Sequence, residues 1–147
     1  MTAVTRTWRF PDPIEDVWQA LTDRDELGGW LLPNDFAPRV GHRFTLHGGV
    51  PLGLPPAVHC EVLEIDPPHR LVLGWDLRPG APRTVVEFTV RRVGDDTELR
   101  IDHRVVASAV IRAGAEPPVW DWDEDVRRAL ADQLRRISLH KRGEVMS

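Results

Sequence analysis

Five segments between residues 42 and 103 alternate apolar and polar side chains, and only short turns separate most of them. "HRFTLH" puts Phe44 and Leu46 on one face, "RLVLGWDL" does the same with Leu71, Leu73 and Trp75, and "TVVEFTV" with Val86, Phe88 and Val90. "TELRIDH" sets Leu99, Ile101 and His103 in phase, opposite Glu98, Arg100 and Asp102. "AVHCEVLEID" changes parity, from Val58, Cys60 and Val62 to Leu63 and Ile65, which predicts a bulge near Val62 or a strand buried on both faces. The loop "GGVPLGLPP" and the turns "PPH", "RPGAP" and "VGDD" punctuate the series. Period-2 strands with one polar face, joined this tightly, form an antiparallel meander. Its apolar face must be buried against another element, and that requirement constrains the fold more than any other feature.

Only the C-terminal stretch, "VWDWDEDVRRALADQLRRISLHK", is long enough to cover such a face. The pattern predicts one helix from about residue 117 to 140, with Pro117 and Pro118 at its boundary. Trp122, Val126, Ala129, Leu130, Gln133, Leu134 and Ile137 form its inner stripe. Acidic residues open it and basic residues close it, matching the helix dipole. At the other end, "VTRTWRF" (residues 4–10) reads as a strand with Trp8 and Phe10 on one side. Two short helices follow. The first carries Asp12 as a cap, Pro13 in its first position, Glu15 three residues after the cap, and Ile14, Trp18 and Leu21 on one face. The second starts at Asp23 with Glu26 in the same spacing, and Gly28 and Gly29 are expected to end it. The order is β, α, α, five β, long α. The fold class is therefore α+β: a curved six-stranded antiparallel sheet wrapped around a long C-terminal helix. A helix laid across a curved sheet tends to leave space beneath it. Residues 105–119 show no regular pattern.

A chain of 147 residues is one domain by size, here 1–147. No apolar run approaches the ~20 residues of a membrane helix, and the N-terminus lacks an apolar signal core, so a cytoplasmic protein without membrane insertion is expected. Cys60 stands alone, which excludes an intramolecular disulfide. A formal charge of -4 argues against a nucleic-acid partner. The six histidines show no zinc spacing, and no nucleophile elbow, phosphate loop or dinucleotide fingerprint occurs. Neither a metal, a cofactor nor a catalytic set is indicated, and whether the chain is an enzyme stays open.

"FPDPIEDVWQALTDRDELGGWL" resembles the opening of the START-like superfamily, also called SRPBCC or birch-pollen-allergen-like. Within it, the chain is most similar to the family named after the activator of the heat-shock-protein-90 ATPase. Pro13, Val17, Trp18, Ala20, Leu21, Thr22, Asp23 and Trp30 match that family's opening pattern. "APRVGHRF", "VLEIDPPHRLVLGW" and "GDDTELRIDH" match three later segments in the right order. Arg24, Leu31, His42 and the run Arg104, Val105 and Val106 depart from it. The resemblance implies a helix-grip fold with a pocket between sheet and C-terminal helix. It spans nearly the whole chain, but the superfamily hosts carriers, hormone sensors, cyclases and co-chaperone domains on one scaffold.

The expected function is binding of an apolar or amphipathic small molecule in that cavity. One alternative is an enzyme of the cyclase, dehydratase or hydrolase type using the same space. Another is a chaperone-activator-like interaction module, ranked last because the genuine activators carry a further N-terminal domain for which 147 residues leave no room. A homodimer stays open. Trp30 and Phe36 either seal the core or line the pocket; the resemblance implies lining, because their segment borders the pocket in START-like folds. Phe44, Trp75, Phe88 and Ile101 face inward by parity, and Leu130 and Leu134 lie on the helix stripe. His103 is the one residue nominated for chemistry. It either hydrogen-bonds a backbone carbonyl or a neighbouring side chain, or orients the polar end of a ligand, or acts as acid or base in an enzyme, with ligand orientation favoured over catalysis because no orienting partner can be read from the sequence. Asp102 cannot orient it, since adjacent strand residues point to opposite faces.

Overall fold

The computed structural model describes residues 3–47, 57–76, 84–105 and 122–146. Its elements are β1 (Ala3–Phe10), α1 (Ile14–Thr22), α2 (Arg24–Trp30), β2 (Arg43–His47), β3 (Ala57–Asp66), β4 (Arg70–Asp76), β5 (Thr84–Val93), β6 (Asp96–Val105) and α3 (Glu124–Met146). One antiparallel sheet runs β1-β6-β5-β4-β3-β2. The meander is thus continuous from β2 to β6, and β1 closes onto β6. This is the predicted α+β helix-grip architecture.

Strand register turns the sequence parity into a surface. Phe44, Cys60, Trp75 and Thr84 form one row across β2 to β5. Val62, Leu73, Val86 and His103 form the next. Leu71, Phe88 and Ile101 form a third. All of these are buried. The parity change in β3 is a bulge: the register with β4 shifts between Val62 and Glu64, and Leu63 is pushed to the outside at 36% exposure. The backbone of Val62 is held there by Gly41 N–H at 2.8 Å and by its own N–H to the His42 carbonyl at 3.0 Å. The opposite face carries ion pairs such as Arg70 with Glu64 and Glu87, and Arg91 with Glu98.

Each of the three helices differs from the sequence reading at an end. Asp12 does not cap α1; Pro13 holds the cap position with extended backbone and makes no side-chain cap bond. Asp12 lies one residue too early, and its carbonyl instead accepts the Thr97 hydroxyl at 2.6 Å. In α1 it is Val17 that is fully buried, with Trp18 only partly so. Helix α3 begins at Glu124 rather than near 117, because the Asp123 carboxylate caps the Val126 N–H at 3.1 Å; residues 117–121 lie outside the described residues. Trp122 therefore precedes the helix and does not belong to its stripe. At the far end α3 continues to Met146, so the basic residues fall short of its last turn.

The third difference concerns Gly28 and Gly29, which do not end α2 but sit within it. The cap at Asp23 is as predicted, accepting from the N–H groups of Asp25 and Glu26. Gly29 is there for contact. A Cβ at this position would lie closer than 3.0 Å to the amide atoms of Gln133 on α3. Gln133 is buried and bound to Glu26 and Arg136, and Arg136 also donates to the Gly29 carbonyl at 3.1 Å. Gly29→Ala should therefore destabilise the protein by about 1–3 kcal/mol through overpacking, despite alanine's better helix propensity. Chemical denaturation checks this, and adding Gln133→Ala should cancel most of the penalty. On the other flank Lys141, the chain's one lysine, pairs with the buried carboxylate of Asp16 and ties α3 to α1.

Candidate ligand site on the inner face of the sheet

His103 sits on β6 with no solvent exposure. Its Nδ1 faces the indole Nε1 of Trp122 at 3.1 Å, and its Nε2 faces the Thr84 hydroxyl at 2.9 Å. An indole N–H only donates, so Nδ1 must carry the lone pair and Nε2 the hydrogen. The Thr84 hydroxyl accepts that hydrogen and passes its own to the carbonyl of Trp75. Every proton in the chain Trp122–His103–Thr84–Trp75 is thereby assigned. Burial holds the imidazole down to about 4 from its ordinary 6.5, so the ring is neutral at neutral pH. It has no carboxylate partner in this chain of bonds.

Aromatic rings enclose the imidazole. Trp75 lies edge-on at 5.7 Å between centroids. The Trp122 ring packs at 5.6 Å from both Trp75 and Phe88, perpendicular to the latter at 89°. Ile101 is cross-strand from Phe88 and fully buried, as are Leu130 and Leu134 on α3. These belong to one apolar cluster with the sheet rows above.

Trp30, Phe36 and Phe44 lie in the same cluster, farther from the imidazole and towards the β2 edge and α2. Phe36 and Phe44 form their own edge-to-face pair at 5.2 Å beside the β2 edge. The segment between them and α2 seals that edge: the Pro33 carbonyl accepts His47 N–H, and the Asp35 carboxylate accepts Thr45 N–H. Trp30 donates its indole N–H to the Ala20 carbonyl at 2.8 Å, which pins α2 onto the end of α1. Sequence reasoning missed Thr84 and placed Trp122 only on the helix stripe. Thr84 opens a strand in phase with Val86 and Phe88, which was the available signal. Cys60 is buried and its thiol pKa is pushed up, first by desolvation and then by Asp76, so it is an inert thiol.

The model of the family described as "Activator of Hsp90 ATPase homolog 1-like protein" matches residues 12–137, most of the chain. The chain belongs to this family. Among solved structures, a Mesorhizobium loti protein, MLL2253, is 28% identical, with a TM-score of 0.63 and 92% of each chain covered. An Hsp90 activator from Plasmodium falciparum is 21% identical over 74% of this chain and 76% of its own, with a TM-score of 0.61. The Aha1 dimer from Colwellia psychrerythraea is 19% identical over 75% and 81%, with a TM-score of 0.60. The last two are similar in fold. A comparison with curated proteins returns no match.

As a member of the activator-homolog family, the chain shares the START-like scaffold, in which the inner sheet face meets the C-terminal helix. Among the described residues, two solvent-open grooves lie elsewhere on it. One, of about 370 Å³, runs over the outer face of β2, β3 and β4, with Arg43, Thr45, His59, Glu61 and Asp76 around the bare Cα of Gly74. The other, of about 300 Å³, lies between the end of β1 and α3 and is lined by Arg9, Asp12, Arg127 and Arg135 among others. Among the described residues no group of His, Cys, Asp and Glu is arranged to hold a metal, and no helix is long and apolar enough to cross a membrane.

Proposed function

We propose that this protein is a single START-like domain of the cytoplasm that binds an apolar or amphipathic small molecule between the inner face of its sheet and α3. One observation carries the reading: a fully buried, neutral imidazole packed against Trp75 and Trp122. Burying polar groups in an aromatic core is costly, and purely apolar residues would pack the same space without that cost. A few fixed polar groups within an apolar wall are what a small-molecule site needs for orientation. Trp75, Phe88, Ile101, His103, Leu130 and Leu134 form its centre in this reading, and Trp30, Phe36 and Phe44 its outer wall. Affinity comes from burying ligand surface, at about 25 cal/mol per Å² before ordering costs.

Native mass spectrometry of freshly purified protein tests this directly. A co-purifying small molecule, released on denaturation, supports the reading. An unliganded protein whose tryptophan emission stays unchanged with a panel of apolar probes rejects it.

Family membership and fold likeness to an Hsp90 activator favour a second reading, a chaperone-interaction module. Stimulation of a purified Hsp90 ATPase at stoichiometric amounts distinguishes the two; ligand binding predicts none. Homodimerisation belongs with this second reading, since a family relative is described as a dimer.

A further inference from the structure

We infer that Trp122 is a built-in occupant of the ligand site, and that the natural ligand is a flat aromatic molecule bearing an N–H or O–H donor on its ring edge, which takes the place of the indole. The inference rests on the small-molecule reading above.

The imidazole is the starting point. Thr84 fixes hydrogen on Nε2, so the lone pair of Nδ1 is directed inward at a place with no solvent exposure. An acceptor buried there must be matched, or it costs about 1–3 kcal/mol. Trp122 matches it, and does so with a ring held edge-to-face on Phe88 and tilted at 55° on Trp75. The two walls and the acceptor together describe a slot for one flat aromatic group with one donor.

Trp122 is also placed to leave. It precedes α3, whose first turn is capped by the next residue, Asp123, through its carboxylate to Val126 N–H and its carbonyl to Arg127 N–H. Moving the indole breaks neither bond. The buried α3 residues Leu130, Leu134 and Ile137, with the bonds of α3 to α2 and α1 through Gln133, Arg136 and Lys141, hold the helix without it. A ligand of the stated class restores the same hydrogen bond and ring contacts, so the exchange is nearly balanced at the imidazole. A ligand lacking the donor orphans Nδ1 and is disfavoured, as sites built around one hydrogen bond generally reject the analogue without it. Self-occupancy lowers apparent affinity by the fraction of molecules in which the slot is open.

The test uses the full chain with 5-fluorotryptophan, the Trp122 resonance being assigned from Trp122→Phe, and 2-naphthol against 2-methoxynaphthalene as probes. In wild-type protein 2-naphthol should move the Trp122 fluorine resonance. Trp122→Ala should bind 2-naphthol at least about tenfold more tightly than wild type, because no indole has to be displaced. It should also prefer 2-naphthol to the methyl ether by about tenfold. Should Trp122→Ala not fold, Trp122→Leu takes its place, and the wild-type resonance decides independently. Binding of 2-naphthol with an unmoved Trp122 resonance and no gain in the variant overturns the inference but leaves the binding reading standing. If neither probe binds any of the proteins, both fall.

Discussion

Acidifying the protein from pH 7 to pH 4 should remove about 3 kcal/mol of stability through His103 alone. The unfolded chain takes up a proton at this imidazole near pH 6.5, and the folded chain only near 4. Between those values the unfolded state binds more protons, so stability falls as the pH drops through the window. Above it and below it the contribution is constant. The cause is desolvation of the charged ring, and the geometry adds a reason: a protonated Nδ1 would point a hydrogen at the indole N–H of Trp122, which cannot accept one. Urea midpoints measured across the window give the slope. His103→Phe supplies the control. It leaves Trp122 Nε1 and the Thr84 hydroxyl to find new partners, so it should cost about 2–4 kcal/mol at pH 7, and it should flatten the difference between pH 7 and pH 4. An unchanged acid slope in that variant would show that other groups carry it.

Trp30→Ala should cost about 4 kcal/mol and lower the Tm by roughly 10 °C, irrespective of any ligand. The indole is only 5% exposed, and its N–H satisfies the Ala20 carbonyl in the last turn of α1, one of the carbonyls that a helix end leaves without an intrahelical partner. Removing it opens a cavity and orphans that carbonyl in one step. Trp30→Phe keeps most of the ring volume and loses the bond, so about 1–2 kcal/mol is expected. Calorimetry on the three proteins separates packing from hydrogen bonding. Near-normal stability of Trp30→Ala would instead make this residue a pocket wall and nothing more.

These two residues divide along the line between local pattern and long-range contact. Period-2 alternation from Phe44 to His103 placed every inward row of the sheet, since strand geometry depends on neighbours in sequence. The parity change after Val62 announced its bulge for the same reason. The Asp23 cap also acts within four residues, and it stands as read. Where the deciding partner lay far along the chain, local rules misled. Gly28 and Gly29 look like a helix stop, yet Gly29 is small because Gln133 presses on it from α3. Trp122 fits the helical stripe by spacing, yet the Asp123 cap starts the helix after it and frees the indole for His103.

By itself, then, the sequence determined the strands, their inward faces and the need for one helix to cover them, because hydrophobic phase is a property of neighbouring residues. The proton arrangement around His103 required more. Its two partners come from β5, nineteen residues before it, and from the approach to α3, nineteen after it. Only the β5–β6 register and the packing of Trp122 against Trp75 and Phe88 bring Thr84 and Trp122 to opposite nitrogens of one ring, and no spacing rule encodes that meeting.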